Sequence, residues 1–481
     1  MYCVVRLWKV PAVFAYISIG ICGICSANAQ TNQPSQRPLF TVQLNRPIED
    51  VDAMAARMKT NGDLYKKIRD DGLDEYTKTH PQASSYDDQA RTLIKLFAYL
   101  VVWDDFYGEN LWELGSDYIR TAAMHGVRDP LFNAFNIIVA GPHVPPDKEE
   151  RAMQIIDDTD KFMATGYPAA FKQMVSQIAI NGLVCYRNNQ KVDINMPSML
   201  ARAHVVEEWG QSYQELVKQK LPHEILFSWG KENMGGAQYN EITLNRVIAE
   251  IDRAFNEEDP DNPVKLELDG AYYVEHAWYA RGSGWANTVN PQQWDQFSKD
   301  LVKAAQILEP LYNQHPDEVG ISLSMMTVEL GQGQGHDRME LWFQRGLKAN
   351  PDCYRLYWSK QWYLQPRWEG SEEDILSFGK ECVQTQNWVD KLPMILPIGL
   401  NDVQDPQVFA RPDVWPIVEK TYRDYLDRYP KATHFRTLFA VQAYQGGHMD
   451  IAREQVKILG NDCDFHTISP QQFQEITADS K

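Results

Sequence analysis

Positive charge is scarce in this sequence. Its 481 residues carry 47 Lys+Arg against 65 Asp+Glu, a formal net charge of -18. No run of lysine or arginine breaks that acidity, so a phosphate backbone is repelled and no nucleic-acid partner is expected. Signatures of metal and nucleophile chemistry are equally thin. None of the eleven histidines stands four residues from another, no His-Glu-x-x-His occurs, and the cysteine spacing matches no zinc site. A Gly-x-Ser-x-Gly elbow is also missing. The expectation is therefore no metal and no cofactor. Seven cysteines are too few for disulfides to replace a core. Strand-type alternation is rare, and the best stretch, Val264 to Val274, is short.

One apolar run is conspicuous, and it lies at the N-terminus. Arg6 and Lys9 precede Val10 to Cys25, and Ala27-Asn28-Ala29 forms a small-x-small site. This is the pattern of an export signal over residues 1–29, cleaved after Ala29. The alternative is an uncleaved anchor, which would be the chain's one membrane contact, but the run is shorter than the ~20 residues that span a bilayer. Residues 30–45 read as a flexible lead-in. Cys185, Cys353, Cys382 and Cys463 remain after cleavage, in a compartment that permits disulfides.

What fills the rest of the chain is helical periodicity. After Asn290-Pro291, residues Trp294, Phe297, Leu301, Ala304, Ala305, Leu308 and Leu311 step by three and four. Asn290 is a suitable cap and Pro291 suits a first turn. Asp87 to Gly126 reads as two helices divided near Tyr107-Gly108. Pro316 and Pro351 both close amphipathic helices and stand 35 residues apart, near the 34-residue tetratricopeptide period. Between them lie a helix (317–330), a Gly-rich turn (331–336) and a second helix (337–349). Phe343 and Gly346 hold the aromatic and small positions of such a repeat, although Thr327 and Met339 stand where Gly or Ala is usual. Tyr422 to Leu459 repeats the pattern, with Ala440 and Ala452 at the small positions. The fold class is all-α, a tetratricopeptide-like α-solenoid of antiparallel helix pairs. Boundaries are expected in Gly141 to Glu150, Asn256 to Pro263 and Leu392 to Pro406. They separate an N-terminal helical region (46–258), a repeat domain (264–390) and a C-terminal repeat and tail (391–481).

Four blocks stand in order: Ala277 to Val289, the helix carrying Trp294, Phe297, Leu301 and Ala304, then Phe343 to Tyr357 and Leu364 to Phe378. Over about residues 272–382 they resemble an uncharacterised bacterial family, the domain of unknown function numbered 4034. The resemblance implies a tetratricopeptide-like repeat in proteins that are often exported, with no established catalytic activity.

Candidate sites each carry two readings. Arg281, Trp285, Arg367 and Trp368 have the chemistry of interface hot spots. Equally, the tryptophans can be wedges between helix pairs, with the arginines pairing acidic neighbours such as Glu369. Ser283 between two glycines, and Gly331 to Arg338, read as turns and not as a nucleophile or a phosphate loop. His204 with Glu208, and His223 with Glu224, could each put a histidine and a carboxylate on one face, but without further ligands they read as solvated helix surface. Cys353 and Cys382 fall at the same end of an antiparallel pair, where a disulfide is possible. The function expected is a protein- or peptide-binding or assembly module, exported to the periplasm or cell envelope. The alternative is an exported hydrolase, possibly glycan-directed, with paired carboxylates from Val101 to Asn110 or Val205 to Gly210 beside aromatics.

Overall fold

The computed structural model describes residues 51–56, 61–82, 86–102, 129–139, 148–184, 196–237, 240–368, 370–401, 403, 406–430, 432–464 and 467–478. The expected signal, the lead-in, the second half of the Asp87 to Gly126 run, most of the Gly141 to Glu150 boundary, Cys185 and Glu369 lie outside these residues. Among the described residues every regular element is helical. No described helix is long and apolar enough to cross a membrane.

The helices form consecutive antiparallel pairs: Ala169–Val184 with Met196–Lys218, His223–Ala237 with Glu241–Glu258, and Pro263–Arg281 with Pro291–Gln314. Val319–Gln332 with His336–Ala349, Tyr354–Tyr363 with Glu372–Gln384, and Thr433–Gln445 with Met449–Leu459 continue the series. From Val319 to Tyr354 the array advances 35 residues, the step anticipated from the prolines. The first helices of successive pairs pack on one another from Ala169–Val184 through to Ile395–Asn401. Beyond Glu241–Glu258 the second helices have little mutual contact. The first helices therefore line the inside of the curve, and the second helices its outside.

Local chemistry explains the helix starts. Asn290 accepts from the Gln293 N–H at 2.9 Å while Gln293 Oε1 accepts from the Asn290 N–H at 3.1 Å, a capping box with Pro291 in the first turn. Asn262 accepts from the Val264 N–H at 3.0 Å ahead of Pro263. That start turns Val264 to Val274, the best strand candidate, into helix. Val264 and Leu268, four apart, are buried, while Leu266 between them is half exposed. The 3.6-residue period wins because the cap and the proline set helical geometry from the first residue.

Packing follows the periodicity. Phe297, Leu301, Ala304, Leu308 and Leu311 are all buried, whereas Trp294 keeps 37% of its surface. Gly333, with φ 60°, ends its helix in the left-handed conformation, so the Gly-rich stretch at 331–336 is a turn. The boundary expected at Leu392 to Pro406 is instead occupied in its first half by buried residues, Leu392 to Pro397. Two apolar clusters share the core. They meet inside Pro263–Arg281, with Ala271 in the first and Val274 in the second.

Gly346 is small for a reason of space. A Cβ there would lie 2.4 Å from Leu356 Cδ2, and Leu356 is fully buried. Alanine in a helix interior gains about 1 kcal/mol over glycine, but overpacking costs typically 1–3 kcal/mol. Gly346→Ala is thus expected to lose about 1 kcal/mol in urea unfolding. A neutral or stabilised variant would contradict the close approach.

Candidate functional site

The inner helices carry polar side chains that a plain structural layer would not need. Gln173, Asn233, Ser322, Ser324 and Gln361 are almost fully buried, and their side-chain polar atoms find no hydrogen-bond partner within the protein. All five sit on first helices. A buried amide or hydroxyl without a partner costs roughly 1–3 kcal/mol, so this layer carries an uncompensated polar load inside the fold.

Ionisable residues share this layer. Glu232 accepts from Arg355 Nη2 at 2.7 Å and from Gln177 Nε2 at 3.3 Å. Three first helices, Ala169–Val184, His223–Ala237 and Tyr354–Tyr363, are thereby tied together across the inside of the curve. One residue along, Lys231 projects its field onto Glu275 and Glu267. Burial pushes the Glu275 carboxyl up to about 7, and the positive field of Lys231 opposes this. Yet Glu275 is not shut away, since its surface remains partly accessible.

At the start of His223–Ala237, His223 bridges two carboxylates. Its Nε2 lies 2.5 Å from Glu267 Oε2 and its Nδ1 3.1 Å from Glu318 Oε1. Glu267 has no accessible surface, and its second oxygen has no partner. Burial works against the His223 imidazolium, but the carboxylates outweigh it and raise the group above its ordinary value. Burial likewise raises Glu267 and Glu318, against the pull of His223. The cluster therefore holds a shared proton more tightly than its parts would. From the sequence His223 pairs with its neighbour Glu224; the fold brings it instead to residues 44 and 95 positions away.

The residues singled out from the sequence lie elsewhere. Arg281 keeps only 5% of its surface and donates from Nη1 to the carbonyls of Gly282 (2.9 Å) and Gly284 (3.2 Å). Its guanidinium lies over the rings of Trp278 and Trp294, at 5.6 and 5.4 Å. Trp368 meets the other side of Trp278 edge-on at 6.1 Å. Arg367 stacks at 4.5 Å on Trp362. Trp285 is half-buried and leads into a short 3-10 turn, where its carbonyl accepts from Thr288. Arg281 and Trp368 are thus joined through Trp278, while Trp285 and Arg367 make separate contacts. Ser283 is exposed on this turn.

No disulfide joins Cys353 to Cys382. Both keep their thiols, and burial raises the Cys382 thiol well above its ordinary value. Of the carboxylates that could have served a glycan hydrolase, Glu207 is exposed and Glu208 buried, so the two do not face one cleft. Those of Val101 to Asn110 fall after residue 102, outside the described residues.

Fold and site together define an all-α helical-repeat protein with an ionisable, polar inner layer. No family model matches the chain, and no curated protein matches it.

Proposed function

We propose that this chain is an exported helical-repeat module that binds a protein or peptide partner in the cell envelope, and that it does so on the inner helices through a cationic group of that partner. The observation that carries this reading is Glu275, a residue with part of its surface accessible, whose carboxyl burial raises and Lys231 only partly offsets. Counting Glu275 itself, four carboxyls (with Glu232, Glu267 and Glu318) stand on these helices and their ends against the three cationic groups of Lys231, Arg355 and His223. An amine or guanidinium fits that excess. The resemblance of residues 272–382 to the unknown-function family supports a non-catalytic repeat, and the signal-like N-terminus supports export. Arg281 and Trp368 serve this site by fixing the inner helix on which Glu275 stands.

The test uses short lysine-containing peptides and fluorescence anisotropy. A cation binds the ionised carboxyl, so affinity should climb between pH 6 and pH 8 as Glu275 loses its proton near 7. Glu275→Gln should lose about tenfold in affinity, the worth of one charge-assisted contact of ~1.4 kcal/mol, together with that pH dependence. Acidic peptides binding as well as basic ones would sink the reading. The free protein behaves oppositely. Glu275 is raised in the fold, so its contribution to stability is full below the ordinary carboxyl range and is lost as pH rises towards 7.

A further inference from the structure

In the N-terminal half, two helices bring together a histidine and two carboxylates. Asp160 stands near the end of Lys148–Met163; His204 and Glu208 stand one turn apart on Met196–Lys218, which packs against it. His204 Nε2 lies 2.7 Å from Asp160 Oδ1 and 3.9 Å from Glu208 Oε1, and one donor atom from each residue falls within 4.8 Å of the others. Tetrahedral ligands ~2.0–2.1 Å from a zinc ion stand roughly 3.3 Å apart, and these separations bracket that value. A second observation points to a ligand. Glu208 keeps only 9% of its surface, and its Oε2 is buried with no hydrogen-bond partner. A buried carboxylate oxygen without a partner is costly; Oε1 is the oxygen that faces His204, and a cation chelated by both Glu208 oxygens beside Asp160 and His204 would supply what Oε2 lacks.

We propose that Asp160, His204 and Glu208 form a binding site for a divalent first-row transition metal ion. One imidazole with two carboxylates suits zinc or manganese and disfavours magnesium and calcium, which take all-oxygen shells. Three protein ligands leave a coordination position for water or for a donor group of a partner. Asp160 and His204 are about half exposed, so that position faces solvent. From the sequence, His204 and Glu208 share a helix face but lack a third ligand. Asp160, 44 residues earlier, supplies it only once the two helices pack.

The full chain, stripped with chelator, should bind one equivalent of zinc by calorimetry and give visible absorption with cobalt. His204→Ala removes an exposed imidazole, Asp160→Asn turns an exposed carboxylate into a neutral amide, and both leave the core intact. Each should weaken zinc binding by about 100-fold or more. Glu207→Gln, one residue away and exposed, should leave it unchanged. The proposal is overturned if no saturable equivalent binds, if Glu207→Gln weakens zinc as much as His204→Ala, or if magnesium alone binds as tightly as zinc.

Discussion

His223→Ala should lower the free energy of unfolding by about 3–5 kcal/mol, the usual cost of removing one member of a buried ion pair. The reason is the residue left behind. Glu267 has no accessible surface, one oxygen already lacks a partner, and an alanine Cβ placed at Gly320 would collide with that oxygen, so the site cannot rearrange to admit water. Replacing both partners by leucine should restore much of the loss, because the buried charge leaves with its counterion. The pH dependence is a further check. Burial raises Glu267 above the ordinary 4.5 even with His223 opposing it, and in the single variant that opposing pull is gone. Stability is then full below that value and falls as pH rises through it. In the wild type His223, raised above 6.5, starts to lose its proton only beyond that point. The gap between the two proteins should therefore widen from pH 4.5 to 6.5 and level off above. Chemical denaturation across that range measures it. A constant gap of under 1 kcal/mol would show that the His223–Glu267 contact carries little.

Arg281→Ala should cost about 3 kcal/mol. The guanidinium makes two charge-assisted bonds to the carbonyls of a turn that holds Gly282 at φ 75°, and it lies over two indole rings. Hydrogen bonds to charged groups contribute roughly 1.5–3 kcal/mol each, and a desolvated cation–π contact about 2. They act on one side chain, so the total falls short of the sum. Arg281→Lys should recover less than half, because an ammonium cannot reach two carbonyls and stack at once. Tryptophan fluorescence should shift with either change, since Trp278 and Trp294 lose their cover. A stability change within 0.5 kcal/mol, accompanied by weaker peptide binding, would return Arg281 to the role of a partner contact.

The helical architecture could be read from periodicity and punctuation. Asn290-Pro291, the Gly-rich turn before His336, and small residues at Gly346, Ala440 and Ala452 each correspond to a feature of the fold. Val264 to Val274, the nearest approach to strand-type alternation, is helix because the cap at Asn262 sets that geometry. The boundary expected at Leu392 to Pro406 carries buried aliphatics from Leu392 to Pro397 beside its prolines. The inner polar cluster could not be found in the sequence at all. Glu232 and His223 share one helix, but their partners Arg355 and Glu318 lie 123 and 95 residues further along the chain, and nothing in residue spacing reports which face of a mostly buried helix turns inward. The arginine and tryptophans of the opening motif stood out through their chemistry, but that chemistry is spent within the fold.

The bridge from Gln177 through Glu232 to Arg355 changes how the molecule should come apart. An array in which each repeat touches only its neighbours can fray from either end, one unit at a time. Here two hydrogen bonds span 55 and 123 residues and tie Ala169–Val184 and His223–Ala237 to Tyr354–Tyr363. Opening a repeat inside that span must break a contact with a helix several units away. Unfolding should then be cooperative across the bridged span, and folding slower than for an unbridged array of this length, because helices far apart in the chain must meet before the bridging contacts can form.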